Sequence, residues 1–179
     1  MSSALLLART TIATPIGPML ALATDDALCA LEFHSPKRHT GLTARLARWF
    51  APHEIVEQPN AVLDHTRRWL ADYFNGVTPE TEEVPLDMRG APFELRVWNA
   101  LRHISAGETA SYGDIARQLG AAGASRAVGM ANGANPLSII VPCHRVIGSN
   151  GTLTGYGGGL ERKRWLLDHE QRWRTDRLF

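Results

Sequence analysis

Cys143 and His144 are the residues of this chain best placed to do chemistry, and they stand side by side in the run 142–145 (Pro-Cys-His-Arg). The apolar, β-branched run 139–141 precedes them, and a glycine-rich stretch follows as far as Gly159. This pattern predicts a buried strand that carries the pair into a loop. A free cysteine is usually an inert apolar residue, and it becomes reactive only where its thiolate is favoured. The pair is therefore a candidate site for a nucleophile.

Length and composition predict an ordinary globular protein. The chain has 179 residues, 44% hydrophobic and 21% charged, enough for one large domain or two small ones. It contains no apolar run long enough to span a bilayer, and its first residues do not resemble a signal peptide, so no membrane association is expected. The two cysteines, Cys29 and Cys143, fit one buried and one reactive thiol in a reducing cytoplasm. The seven histidines are scattered, so we expect no metal site and no cofactor.

Charge is distributed unevenly along the chain. Residues 1–90 hold 8 Lys and Arg against 11 Asp and Glu, a balance of −3, whereas residues 91–179 hold 11 against 7, a balance of +4. The positive half also carries the cysteine pair. This asymmetry favours an anionic partner for the C-terminal half, although a chance distribution over two solvated surfaces would also produce it.

The N-terminal half is predicted to form strands followed by helices. Segments 10–14, 19–24 and 28–33 are strand-like and are separated by turn residues, which predicts a small antiparallel meander. Segments 42–49 and 62–73 have helical spacing. The stretch of about 75–90 is rich in Thr, Pro and Glu and predicts an exposed connector. Gly90 is the predicted domain boundary, with an N-terminal domain over 1–90 and a second domain over 91–179.

The second half predicts several short helices. Pro92 suits the first turn of one helix. Ser111 and Asp114 form a variant of the capping box, which predicts a helix that Gly120 ends in a left-handed backbone conformation. Ser125 can cap a further helix that runs to about residue 134. Two short helices joined by a turn of small residues are a candidate helix-turn-helix.

The second helix of this pair is unusually rich in small side chains. Its interior glycines, Gly129 and Gly133, each destabilise the helix by about 1 kcal/mol relative to alanine. A close contact between this helix and another surface should offset that loss. Close helix packing is one explanation, and close approach to a nucleic-acid backbone is the other. Arg126 could anchor a phosphate or reach into a groove. Asn135 and Pro136 then end the helix, because a residue before proline avoids helical geometry.

The ordered set of motifs resembles the O6-alkylguanine-DNA alkyltransferases, also called methylated-DNA–protein-cysteine methyltransferases, of the bacterial single-protein type. The likeness is strong from about Pro92 to Glu170 and looser before it. The motifs that carry it are 126–129 (Arg-Ala-Val-Gly), 135–136 (Asn-Pro), 141–146 (Val-Pro-Cys-His-Arg-Val), 154–159 (Thr-Gly-Tyr-Gly-Gly-Gly) and 165–167 (Trp-Leu-Leu).

The resemblance implies an α+β fold in two parts. The first is a small N-terminal β-sheet domain, ribonuclease-H-like, and the second is a helical domain with a winged-helix-like helix-turn-helix and the active site. It also implies repair of double-stranded DNA by a suicide reaction. Cys143 would take the alkyl group from O6-alkylguanine, and also from O4-alkylthymine, after the base has flipped out of the helix. A monomer is expected, with cooperative binding along DNA left open.

The resemblance assigns roles to three groups of residues. Those in the reaction itself are Cys143, His144, Glu170, Tyr112 and Asn135. Those against DNA are Arg126, Tyr112, Ser125, Ala127, Gly129, Ala131 and Asn132. Those lining the pocket for the damaged base are Pro136, Val146, Tyr156, Gly157 and Gly158.

The chemistry of the reaction explains these roles. A thiol with a pKa near 8.5 needs a base, and the resemblance implies that Glu170 orients His144, which deprotonates Cys143 through a water molecule. Arg126 would fill the space of the flipped base. Tyr112 would push the adjacent phosphate and offer a proton to N3 of the guanine. Asn135 would brace the turn between the DNA-binding helix and the nucleophile.

Two other functions remain open at this point. A cysteine hydrolase could use Cys143 and His144, but it would need an oxyanion hole and many turnovers. A non-enzymatic DNA-binding regulator could use the helix-turn-helix alone. Regulators that carry this catalytic domain also have a zinc-binding cysteine cluster, which Cys29 alone cannot supply. The sequence also departs from its relatives at Gly157, where some carry serine, and at residues 104–107, where many have a proline.

Overall fold

The computed structural model describes residues 4–77 and 83–176, with side-chain detail up to residue 173. The chain divides into two compact units, Met1–Arg89 and Gly90–Phe179. The first combines a sheet with two helices and the second is mainly helical, which confirms the predicted α+β fold. Of the helices in the described ranges, none has both the length and the apolar character of a membrane span.

The N-terminal unit is built on a four-stranded sheet with strand order β3-β2-β1-β4. The first three strands are β1 (Leu5–Ile12), β2 (Met19–Ala23) and β3 (Leu28–Phe33), and they form the predicted antiparallel meander. The fourth, β4 (His53–Val56), pairs in parallel with β1 and was not predicted. Its four residues, mostly half-exposed or exposed, are too short and too polar to give a strand pattern.

Two helices complete this unit, and both lie where helical spacing predicts them. Helix α1 (Pro36–Trp49) starts six residues earlier than expected, because Pro36 occupies its first turn. It packs Leu42 and Leu46 against the sheet. Helix α2 (Ala61–Phe74) starts at Asn60, whose side-chain oxygen accepts a hydrogen bond from the backbone amide of Leu63 at 2.9 Å.

The predicted exposed connector is wrong for its second half, while residues 78–82 lie outside the described part of the chain. Val84 is buried, and Leu86 forms a β-bridge with Leu28. The backbone amide of Leu28 donates to Pro85 at 2.8 Å, and Asp87 donates back to Leu28 at 2.9 Å. The segment therefore covers the outer edge of β3, a role that a composition of Thr, Pro and Glu does not reveal.

The C-terminal unit has four helices in its described residues: α3 (Pro92–Leu101), α4 (Tyr112–Gln118), α5 (Ser125–Gly133) and α6 (Leu160–Asp176). A two-residue parallel ladder joins β5 (Ala110–Ser111) to β6 (Val146–Ile147). This ladder holds the start of α4 beside the chain that leaves the cysteine pair.

The helix-turn-helix of α4 and α5 forms largely as predicted. The hydroxyl of Ser111 accepts from the amide of Asp114 at 3.0 Å, and the Asp114 carboxylate accepts from the amide of Ser111 at 2.8 Å. Gly120 has a φ of 68°, the left-handed conformation expected after α4. The predicted cap at Ser125 is wrong: Ser125 is the first residue of α5, and the capping position belongs to Ala124.

Candidate active site

The segment before Cys143 is a tight turn and not the predicted strand. Ile139 has a φ of 72°, and the amide of Val141 donates to the carbonyl of Leu137 at 2.9 Å. Cys143 then begins a single 3-10 turn, Cys143–Arg145. The apolar run reflects complete burial and not strand pairing, two states that hydrophobicity alone cannot separate in so short a segment.

Asn135 holds this turn together. It is fully buried, its side-chain amide donates to the carbonyl of Val141 at 2.8 Å, and its side-chain oxygen accepts from the amide of Leu137 at 2.9 Å. These bonds replace those that a strand would supply, and they fix the backbone at the entrance to the cysteine.

Cys143 is nearly buried, with 4% of its surface exposed. Its amide donates to the carbonyl of Val141 at 2.8 Å. Its own carbonyl accepts from the side-chain amide of Asn132 at 3.2 Å, and Asn132 belongs to helix α5. Asn132 of α5 and Asn135, two residues after α5 ends, therefore bind the backbone on both sides of Pro142.

His144 and Glu170 form a fully buried pair beside the cysteine. The Nε2 atom of His144 lies 2.7 Å from Oε1 of Glu170. Arg145 donates to the same carboxylate from Nε at 3.0 Å and from Nη2 at 2.9 Å. The backbone amide of Gly107 adds a fourth bond at 3.1 Å. All of the polar partners that this carboxylate needs are thus supplied without water.

These contacts determine the charges of the pair. Burial lowers the pKa of His144 below its ordinary value, and the positive Arg145 and Lys163 add to this effect against the pull of Glu170. Burial alone would raise the pKa of Glu170, but His144 and Arg145 outweigh it and hold that pKa below its ordinary range. We therefore describe an ionised Glu170, held by its hydrogen bonds from His144 and Arg145, and a neutral His144.

The tautomer of His144 follows from this arrangement. An ionised carboxylate only accepts hydrogen bonds, so Nε2 of His144 must carry the hydrogen that it donates to Glu170. Nδ1 then keeps a lone pair, and it has no hydrogen-bond partner among the described residues. A neutral imidazole with a free Nδ1 next to a cysteine is a base available to a thiol.

Lys163 is a member of the site that sequence reasoning missed. Its side chain is fully buried, and its ammonium donates to the carbonyls of Val146 at 2.5 Å and Thr154 at 2.8 Å. Burial lowers its pKa to about 8, although the nearby Cys143 opposes the shift. A signal existed in the sequence: Lys163, Leu166 and Glu170 recur at the spacing of one helix face, so two charged residues share the buried stripe of α6.

Arg145 and Gly107 were also missed as partners of Glu170. Arg145 stands next to the predicted base, but a surface arginine has the same sequence signature. Gly107 has a φ of 79°, a left-handed backbone conformation that favours glycine.

The predicted pocket residues differ in how far they are buried. Pro136 and Val146 are buried, Gly158 is buried, Tyr156 is half-buried, and Gly157 is exposed. The hydroxyl of Tyr112 donates to the carbonyl of Thr154 at 3.2 Å, which brings α4 to the glycine-rich loop. The carbonyl of Val146, one of the predicted pocket residues, accepts a hydrogen bond from Lys163.

The predicted DNA contacts divide between two faces of α5. Arg126 and Ala127 are exposed, and Gly129 lies against the ring of Tyr112, whose carbons are 3.7 Å from where a Cβ would stand. Ala131 and Asn132 are buried, so the structure does not support their expected contact with DNA. Asn132 points instead at the Cys143 carbonyl, because the face of α5 that meets the core carries every third or fourth residue.

Comparison with known proteins gives the same picture over the whole chain. A family model described as the 6-O-methylguanine DNA methyltransferase DNA-binding domain matches residues 92–172. A second, described as the ribonuclease-like domain of the same methyltransferase, matches residues 7–88. The methylated-DNA–protein-cysteine methyltransferase of Salmonella typhimurium is 46% identical over 165 residues, which are 89% of this chain and 92% of that protein.

Solved structures agree with these matches. The O6-methylguanine methyltransferase of Mycobacterium tuberculosis superposes with a TM-score of 0.75 at 43% identity, covering 93% of each chain. A structure of the M. tuberculosis protein in complex with DNA gives a TM-score of 0.75 at 44% identity, covering 91% of this chain and 92% of that one. The chain therefore belongs to the 6-O-methylguanine DNA methyltransferase family, the DNA-binding enzymes that repair DNA by transferring a methyl group to a cysteine of the protein.

Proposed function

We propose that Cys143 is the cysteine that accepts the alkyl group and that His144 is its base. The observation that carries this proposal is the buried His144–Glu170 pair, which leaves Nδ1 of the neighbouring imidazole as a proton acceptor. The thiol proton passes to Nδ1 of His144 through a water molecule. Glu170 is a positioning residue, because it acts on the reaction only through His144.

The reaction is a displacement at the alkyl carbon. The sulfur of Cys143 forms a bond to that carbon, and the bond from the carbon to O6 of guanine breaks. The electron pair moves into the purine, which takes up a proton at N3 from the hydroxyl of Tyr112. The proton held by His144 then returns through solvent to Tyr112, and exchange with water moves the proton of the base from N3 to N1. The products are an unmodified guanine and a thioether on the protein. A thioether has no leaving group that water can displace easily, so each molecule acts once.

The base must leave the DNA stack before the buried sulfur can reach it. Extrusion costs a few kcal/mol, and a damaged, poorly paired base costs least. We assign Arg126, exposed on α5, to the space that the base leaves. We assign Tyr112 to the adjacent phosphate and the predicted pocket residues to the extruded base. Ser125, Ala127 and Gly129 remain on the DNA side of this helix in our proposal.

The glycine-rich stretch after Cys143 is the basis for a proposed substrate range. We propose O6-alkylguanine as the main substrate, with O4-alkylthymine as a second one. The glycines of residues 157–159 form a rim without side chains, so alkyl groups larger than methyl should enter. Gly158→Val should therefore reduce the rate on O6-benzylguanine more than the rate on O6-methylguanine. Equal losses on both substrates would count against this role for the rim.

DNA binding itself should depend strongly on salt and little on sequence, because contacts to phosphates dominate such interfaces. One cysteine consumes one lesion, so we propose that a monomer suffices for repair. Neither Cys29 nor Cys143 is in a disulfide, which suits the reducing cytoplasm that we propose as the site of action.

Counting turnovers tests this function against the rival cysteine hydrolase. The protein is mixed with a tenfold excess of duplex that carries a radiolabelled O6-methyl group, and label on protein and in solution is followed over time. We expect transfer to stop at one methyl group per molecule, all of it bound to protein. Continued release of label into solution would favour a hydrolase. Tight binding without any transfer would favour a regulator.

A further inference from the structure

Met130 is an exposed apolar side chain on helix α5. It is 78% exposed, whereas Val128 and Ala131 of the same helix are buried. Met130 follows Arg126 by four residues, so the two side chains lie on one helix face, about one turn or roughly 6 Å apart.

The other residues on this face of the helix have small side chains. Ala127 is exposed and offers only a methyl group, and a Cβ added to Gly133 would meet no atom within 4 Å. Within the described helix, Met130 is thus the one bulky apolar group on the face that carries Arg126. A single exposed apolar residue is common on protein surfaces and needs no explanation by itself. This one stands on the second helix of a helix-turn-helix, inside the region that matches a DNA-binding domain.

We propose that Met130 enters the minor groove beside Arg126 and packs on the sugar edges of the DNA. This inference rests on the proposed function, in which α5 faces the groove. Apolar side chains, methionine among them, are used as wedges by proteins that bend DNA through the minor groove. The unbranched thioether of methionine adapts to an irregular surface. Met130 would hold the groove open while Arg126 occupies the place of the extruded base.

Oxidation by peroxide tests this contact on the wild-type protein. Oxidation of each methionine to its sulfoxide is measured by peptide mass spectrometry, with and without saturating undamaged duplex DNA. We expect Met130 to oxidise faster than Met19 and Met88 in the free protein and to be protected by DNA about tenfold. Met19, which is fully buried, and Met88, which is half-buried, lie in the N-terminal unit and serve as internal references whose rates should not change. Equal oxidation of Met130 with and without DNA would overturn the proposal.

Substitutions separate an apolar contact from simple shielding. Loss of about half of the burial energy of a methionine corresponds to an approximately fivefold weaker affinity for duplex DNA in M130A. M130Q keeps the length of the side chain but not its apolar character, and it should lose a similar factor. The salt dependence should stay as in wild type, because no charge changes. V77A, which shortens an exposed apolar residue of the N-terminal unit, is the matched control.

The outcomes distinguish this inference from the function on which it rests. If M130A and M130Q bind DNA as tightly as wild type while wild type repairs the lesion, only the role of Met130 fails. If the wild-type protein neither binds duplex DNA nor takes up a methyl group, the proposed function fails as well.

Discussion

The substitution Glu170→Gln should reduce both the stability of the protein and the rate of alkylation, although it replaces only one carboxylate oxygen with an amide nitrogen. Glu170 accepts hydrogen bonds from His144, Gly107 and twice from Arg145, and it is fully buried. A glutamine keeps one accepting oxygen and replaces the other with a donor. At least one hydrogen of Arg145 or His144 would then face a second donor, and the charge of Arg145, whose side chain is only 7% exposed, would lose its partner.

The size of the effect follows from these contacts. Removal of one partner from a buried ion pair costs about 3–5 kcal/mol. With a urea dependence of about 2 kcal/mol per molar, the midpoint of unfolding should fall by about 2 M. The alkylation rate should fall by about 10²–10⁴-fold, the usual contribution of a positioned general base, because the tautomer of His144 is no longer fixed.

The contribution of Glu170 to the stability of the protein should depend on pH. The pKa of Glu170 is held below its ordinary value in the folded protein. Its contribution is therefore complete above about pH 4.3, the ordinary value for glutamate, and is lost as the pH falls through the folded value. The difference in stability between wild type and E170Q should shrink accordingly at acidic pH.

Urea unfolding followed by fluorescence and single-turnover alkylation of an O6-methylguanine duplex measure the two effects. E161Q, an exposed glutamate on the same helix, is the control and should change neither. An E170Q protein that unfolds at the wild-type urea concentration and alkylates at the wild-type rate would refute the reasoning.

Three further predictions concern single groups. Because burial lowers the pKa of His144, the alkylation rate should stay constant as the pH falls through 6.5, and half-loss at that pH would contradict a neutral buried base. Burial raises the pKa of Cys29 to about 11, so little of its thiolate is present at pH 8. Iodoacetamide at pH 8 should therefore modify one cysteine in the native protein, Cys143, and both after unfolding. Rapid labelling of native Cys29 would contradict the raised pKa. K163M removes the bonds to the carbonyls of Val146 and Thr154 and the positive charge that acts on Cys143, so iodoacetamide should modify native Cys143 more slowly than in the wild type; an unchanged rate would exclude the electrostatic role.

Much of the fold was predictable because local signals and burial agreed. The strands β2 and β3 and the helices α2 and α4 combine clear periodicity with turn residues or a capping box, and these features act within a few residues. Strand β4 was not predicted because it forms only by pairing with β1, which lies some fifty residues earlier in the chain. Local sequence does not encode such a partner.

The candidate site was predictable in its residues but not in its geometry. The family resemblance named Cys143, His144 and Glu170, and the structure brings the latter two within hydrogen-bond distance. The strand expected before Cys143 is a turn, because burial and extended pairing produce the same apolar run. Lys163 was overlooked because the charge of a lysine usually indicates a solvated position, and only the fold shows which carbonyls it meets.

Intact-protein mass spectrometry tests the central claim most directly. Wild type and C143A are each incubated with a duplex that contains one O6-methylguanine, and the protein mass and the lesion are measured in the same sample. We predict that wild type gains the mass of one methyl group in place of a hydrogen on Cys143, in step with loss of the lesion, and that C143A gains nothing. Repair of the lesion by C143A, or repair by a wild-type protein whose mass does not change, would contradict the account.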